Sequence, residues 1–162
     1  HLAAEIVKAL PAFVSVVALF VDEQEALIRN VLEQVPIDCL QFHGNEPPEA
    51  CRIYGKRYIK AINVQENTDI PGLAKRYADA DALLLDAYHP NEKGGSGNRF
   101  DWGLIPKRCD LPVILAGGLE ASNAKIAVEK VRPYALDVSS GVEAKKGIKD
   151  KDKMAAFLAA VH

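Results

Sequence analysis

ALLLDAY, residues 82–88, sets three leucines, Leu83, Leu84 and Leu85, between alanines and places one carboxylate, Asp86, near its end. Successive side chains of a strand face opposite ways, so an unbroken apolar run is apolar on both faces. Such a strand must be covered on both sides, which favours a parallel sheet over a sandwich wetted on one face. Asp86 has no place in that filling, so it belongs where the strand leaves the core.

Five other short runs share this character: VSVVALFV (14–21), DCLQFH (38–43), RYIKAIN (57–63), PVILAG (112–117) and ALDVSS (135–140). Between them the spacing turns helical. Ala26, Leu27, Ile28, Val31, Leu32 and Val35 fall on one helical face, and so do Ala124, Ile126, Ala127, Val128 and Val131. Ser122 and Asn123 are suitable caps for the second of these helices. LAAEIVKAL (2–10) reads as a helix stopped by Pro11. A last helix, from about 150 to 162, carries Met154, Phe157, Leu158 and Val161 on one face. The strand centres lie about 20–30 residues apart, the period of βα units.

Two architectures fit that repetition, an open doubly wound sheet and a TIM (β/α)8 barrel. Six strands alone favour the open sheet. A leading helix with no strand before it points instead to a barrel whose first β-α-β unit is absent. The expectation is an α/β fold of the TIM (β/α)8-barrel family, with six strands standing for the third to eighth. Residues 1–162 then form a single, incomplete β/α-barrel domain.

Composition narrows the function. A chain of 162 residues, 49% hydrophobic and 26% charged, has the profile of one soluble globular domain. Twenty Lys+Arg against 22 Asp+Glu leave a net charge of −2, without the basic excess of a nucleic-acid binder. No apolar run nears the roughly 20 residues that cross a bilayer, so no membrane partner is expected. Cys39, Cys51 and Cys109 are odd in number and form no CxxC pair, which fits a reducing, cytoplasmic setting.

In either architecture function gathers at the C-terminal ends of the strands. Polar residues and glycines collect there: Gln41 and His43, Asp86 followed by Gly94-Gly95-Ser96-Gly97, Gly117-Gly118, and Asp137 followed by Ser139-Ser140-Gly141. Glycines let the backbone approach a phosphate closely, and a helix N-terminus favours a dianion. Gly117-Gly118 and Ser140-Gly141, the loops after the last two strands, are therefore the candidate phosphate site, with tight strand-to-helix turns as the plainer reading. Burial of Asp86 would raise its pKa and suit it to act as a general acid; its plainer reading is a brace for the following loop. His43 has no second ligand at metal spacing, so no metal site is expected, and with Gln41 it lines the pocket or bonds a neighbouring loop.

LQFHGNE (40–46), LLLDAYHPNEKGGSGNRFDW (83–102), PVILAGGL (112–119) and YALDVSSGVEAKKGIKD (134–150), in this order, resemble the phosphoribosylanthranilate isomerase family of tryptophan biosynthesis. The resemblance implies a (β/α)8-barrel enzyme that converts N-(5′-phosphoribosyl)anthranilate to 1-(o-carboxyphenylamino)-1-deoxyribulose 5-phosphate by an Amadori rearrangement, without a cofactor. It makes Asp86 the general acid, puts the phosphate at Gly117, Gly118, Ser140 and Gly141, and sets Asp137 beside the anthranilate part, with Gln41 and His43 binding substrate. The partner implied is a small phosphorylated substrate, and the full-length form is expected as a monomer.

The departures from the family pattern carry expectations of their own. The family's general base is a cysteine in a Lys-x-Cys-Gly-Ile-Thr-type first strand, and an arginine follows its second strand. Neither motif occurs here. The chain as given is thus expected to be inactive and open to association or domain swapping. Two other readings stand beside this one: a phosphate-sugar barrel such as indole-glycerol-phosphate synthase, for which Lys60 is the available strand lysine, and a non-catalytic phosphate-binding fragment.

Overall fold

The computed structural model describes residues 2–87 and 101–161. Within them, six parallel strands pair strictly in chain order: β1 (Val17–Phe20), β2 (Cys39–Phe42), β3 (Arg57–Val64), β4 (Ala82–Ala87), β5 (Val113–Leu115) and β6 (Ala135–Leu136). A doubly wound sheet reverses its strand order at a switch point, whereas a barrel never does. The sequential order therefore decides between the two candidates, and the sheet is a barrel-type wall. Among the described residues it does not close, since β1 and β6 each pair on one side only.

Helices cover one face of this wall. They are α1 (Leu2–Lys8), α2 (Glu25–Gln34), α3 (Pro48–Arg52), α4 (Ile70–Arg76), α5 (Ala121–Val131) and α6 (Lys151–Val161). Strand parity shows which face they cover. Leu40, Phe42, Tyr58, Ile62, Val64, Leu83 and Leu85 pack with Ile28, Cys51, Ile70 and Ala74 from the helices. The opposite parity supplies a smaller cluster built from the strands alone, in which Ala61, Leu84 and Ala116 are packed by Ile59 and Ile114. That second cluster fills the concave face, as the interior of a barrel is filled by side chains. Its cover fails toward β1, where Val17 and Leu19 stay 44% and 53% exposed.

Several local expectations need correction. The segment 135–140 narrows to a two-residue strand, after which the chain turns into the 139–141 loop. The N-cap of α5 is Glu120 rather than Ser122 or Asn123; both lie inside its first turn, where Asn123 still caps from within as the reciprocal member of a capping box with Glu120. On α6, Phe157 is buried and Val161 packs beside it, but Met154 and Leu158 face solvent. An antiparallel pair absent from the sequence reading, β7 (Glu143–Lys145) and β8 (Ile148–Lys149), turns at Gly147, whose φ is +79°. The Gly94–Gly97 run lies outside the described residues.

Candidate active site

Register brings the polar strand ends together. Gln41 pairs with Ile59, Ala61 with Leu84, and Asn63 with Asp86, so Gln41, His43 and Asp86 share the parity of the concave face. Asp86 rides on the most deeply buried strand, all six of whose residues are buried. One carboxyl oxygen, Oδ1, accepts the Ala87 backbone N–H at 2.8 Å. The other, Oδ2, stands 3.3 Å from His43 Nε2.

His43 is held from its far side. The Gln41 amide donates into Nδ1 at 3.2 Å, which leaves the proton of a neutral ring on Nε2, facing Asp86. Nε2 is buried yet not aligned for a hydrogen bond with Asp86, and among the described residues it has no other partner. An unsatisfied buried donor costs about 1–3 kcal/mol, so the group is poised to bond an oxygen placed in the concavity. Gln41 and His43 thus bond each other, an arrangement that neither sequence alternative, lining the pocket or bonding a neighbouring loop, names.

Asp137 joins the same electrostatic neighbourhood. Its N–H continues the sheet by donating to Leu115 O at 2.8 Å, and its place in the register sets it on the concave face. Desolvation there, and then the negative charge of Asp86, push its carboxyl above the usual range, against the opposing pull of His43 and Lys149.

Two backbone loops complete the mouth. Gly117 and Gly118 have φ of +82° and +63°, a region L side chains rarely adopt. A Cβ on Gly117 would stand 2.8 Å from Asp86 Oδ1 and 2.6 Å from Ala87 N, so the loop passes directly over the carboxylate. A Cβ on Gly141 would overlap Leu119 O, which brings the 139–141 turn against the 117–119 turn. Asn123, buried in α5, pins the first loop: its Nδ2 donates to Gly118 O at 2.8 Å and its Oδ1 accepts Glu120 N–H at 3.1 Å. Lys149 pins the second, donating to Ser139 O at 2.9 Å, to Ser139 Oγ at 3.1 Å and to Glu143 Oε1 at 2.9 Å. Sequence reasoning saw Asn123 only as a helix cap and missed Lys149, whose one signal was its position within the 134–150 motif.

Lys60 is not brought to the mouth. It pairs in register with Leu83, on the helix side of the wall, where it is 2% exposed. That orientation removes the lysine on which the indole-glycerol-phosphate synthase reading leaned. The three thiols also lie elsewhere. Cys39 opens β2 at the opposite rim, Cys109 precedes β5, and Cys51 is buried in α3, its thiol pushed by desolvation to about 11. Among the described residues no three His, Cys, Asp or Glu side chains gather as a metal site would require. No helix there is long and apolar enough to cross a membrane.

Comparison with known proteins bears on the family and the fold. The family model for N-(5′-phosphoribosyl)anthranilate (PRA) isomerase matches residues 1–160. The N-(5′-phosphoribosyl)anthranilate isomerase of Nitrosococcus oceani is 55% identical over 157 residues, covering 97% of this chain and 76% of that relative. The crystal structure of the Thermotoga maritima phosphoribosyl anthranilate isomerase superposes with a TM-score of 0.87 at 39% identity, over 98% of this chain and 78% of that one. A phosphoribosyl anthranilate isomerase in complex with reduced 1-(o-carboxyphenylamino)-1-deoxyribulose 5-phosphate superposes at 0.83, with 37% identity over 98% and 77% of the two chains.

Proposed function

The chain belongs to the N-(5′-phosphoribosyl)anthranilate isomerase family, and on that premise we propose that its strand-end mouth performs the acid half of the Amadori rearrangement. Asp86 protonates the ribose ring oxygen, the ring opens to a Schiff base, and loss of the C2′ proton gives the enolamine that tautomerises to the ketone. Every step is a proton transfer, so the isomerisation balances without a redox partner. His43 and Gln41 hold the sugar end, with His43 Nε2 donating to a substrate oxygen. Asp137 lies beside the anthranilate part. The backbone N–H groups around Gly117, Gly118, Ser140 and Gly141 receive the phosphate.

The observation that carries this reading is the buried Asp86 carboxylate beside His43 Nε2, which makes no hydrogen bond among the described residues, directly beneath the Gly117 turn. The proton-abstracting step needs a thiolate at a strand end in this family, and Cys39, Cys51 and Cys109 stand elsewhere. With the acid at this mouth and no thiol beside it, these residues alone are expected to turn over poorly. General-base assistance is worth about 10²–10⁴ in rate.

The test follows the loss of phosphoribosylanthranilate fluorescence. The 162-residue polypeptide alone is expected to be nearly silent. Adding, as a separate peptide, the part of the Nitrosococcus oceani relative outside the match is expected to restore turnover. Asp86→Asn then abolishes the restored activity while inorganic phosphate still binds. Unchanged turnover in that variant removes Asp86 as the acid, and brisk turnover by the polypeptide alone overturns the account of the base.

A further inference from the structure

Two buried charges, Lys60 and Glu46, take no part in this scheme. Lys60 and Glu46 are 2% and 8% exposed, with Nζ and Oε2 3.2 Å apart. Desolvating such a pair costs several kcal/mol per ion, and apolar residues of similar volume usually stabilise a fold as well or better. What this pair touches is therefore more telling than its energy.

Lys60 Nζ donates to Phe42 O at 3.0 Å and to Gly44 O at 2.7 Å. These are the carbonyls on either side of His43. The same ammonium reaches Ala61 O at 3.1 Å and lies 5.8 Å from the centroid of the Tyr77 ring. Glu46 closes the frame from the other direction. Its Oε2 and Oε1 accept Gly44 N–H at 2.9 and 3.1 Å, and Oε1 also accepts Asp22 N–H at 2.7 Å. Its backbone carbonyl accepts the Tyr77 hydroxyl at 3.1 Å. The turn from Phe42 to Glu46 is thus fastened to β3, to the end of β1 and to the segment after α4, and His43 sits at its centre.

We propose that Glu46 and Lys60 are positioning residues for the reacting end: from the far side of the sheet they fix the backbone on both sides of His43, and so set where its Nε2 meets Asp86 and the ligand. This rests on the reading of His43 as a ligand-holding group. It assigns the buried lysine a purpose in geometry, with no contact to the reacting atoms.

The test is a double-mutant cycle read by calorimetry. Two probes are used, reduced 1-(o-carboxyphenylamino)-1-deoxyribulose 5-phosphate and inorganic phosphate. Lys60→Met and His43→Ala are each expected to weaken the reduced ligand about tenfold, and the double variant no further, because both remove the same contact. Inorganic phosphate affinity stays within about twofold throughout, since its loops are anchored by Asn123 and Lys149 instead. If Lys60→Met does not fold, Lys60→Met with Glu46→Leu removes both charges together and is expected to show the same pattern. Additive losses, near a hundredfold in the double variant, overturn the proposal, as does phosphate affinity falling in step. If His43→Ala leaves the reduced ligand unaffected, the reading of His43 falls and this inference falls with it; if His43→Ala weakens that ligand and Lys60→Met does not, this inference alone falls.

Discussion

The two ends of the mouth are built from different materials. At the end proposed for the reaction, side chains dominate: Asp86, His43 and Gln41 share the concave face, and Lys60 and Glu46 bond the backbone behind them. At the end proposed for the anion the exposed groups are backbone, the turns at 117–118 and 139–141, and side chains only pin them. An end made of side chains is damaged by removing an atom. An end made of backbone is damaged by adding one.

The largest expected effect tests that contrast at the anion end. Gly141→Ala places a methyl group on Leu119 O and is expected to cost about 2–3 kcal/mol in urea unfolding. It should also weaken inorganic phosphate, while the reacting end keeps its geometry. A variant as stable as the parent would mean the two turns separate freely.

A second measurement sharpens the other side. Cys51 Sγ lies 3.8 Å from Glu46 O, within the buried frame behind His43, and its thiol is pushed up to about 11. At pH 8 it is expected to react with iodoacetamide at least about a hundredfold more slowly in the folded protein than in urea. Fast native labelling of Cys51 would show that the frame opens on its own.

The smallest effects are electrostatic and differ in sign. Asp137 has a raised carboxyl, so the folded protein keeps that proton to higher pH than the unfolded chain. Its contribution to stability is lost as pH rises from the ordinary carboxylate value through the folded one, and Asp137→Asn should remove that slope. Glu143 is lowered, first by its hydrogen bond with Lys149. Its contribution is present above the ordinary value and lost as pH falls through the folded one, so Glu143→Gln should lose stability at neutral pH. Both slopes are read from urea midpoints between pH 4 and 7, and solvent screening keeps them small.

The wall of the barrel was legible because burial on both faces writes itself as composition, as Leu83-Leu84-Leu85 does. Asp86 and the glycine turns were legible because each interrupts an apolar run where the chain leaves the sheet. Lys60 was not, since its partners are mostly main-chain carbonyls, which carry no letter in the sequence. The face of α6 was misread for a related reason. Periodicity locates an apolar stripe but not its cover, and Met154 and Leu158 extend past what Phe157 packs against. The β7–β8 pair escaped because three-residue and two-residue strands are too short for any alternation to register.

One feature of β3 bears on how this protein can change over evolutionary time. Ala61 fills the concave face while its neighbour Lys60 clamps the turn on the other side. Removing a single residue just before them would exchange the two faces, sending an ammonium into the barrel interior and leaving Phe42 O and Gly44 O without their shared donor. The composition of this strand is free to drift, but its count is not: insertions and deletions there must come in pairs, or be absorbed by a bulge before Lys60.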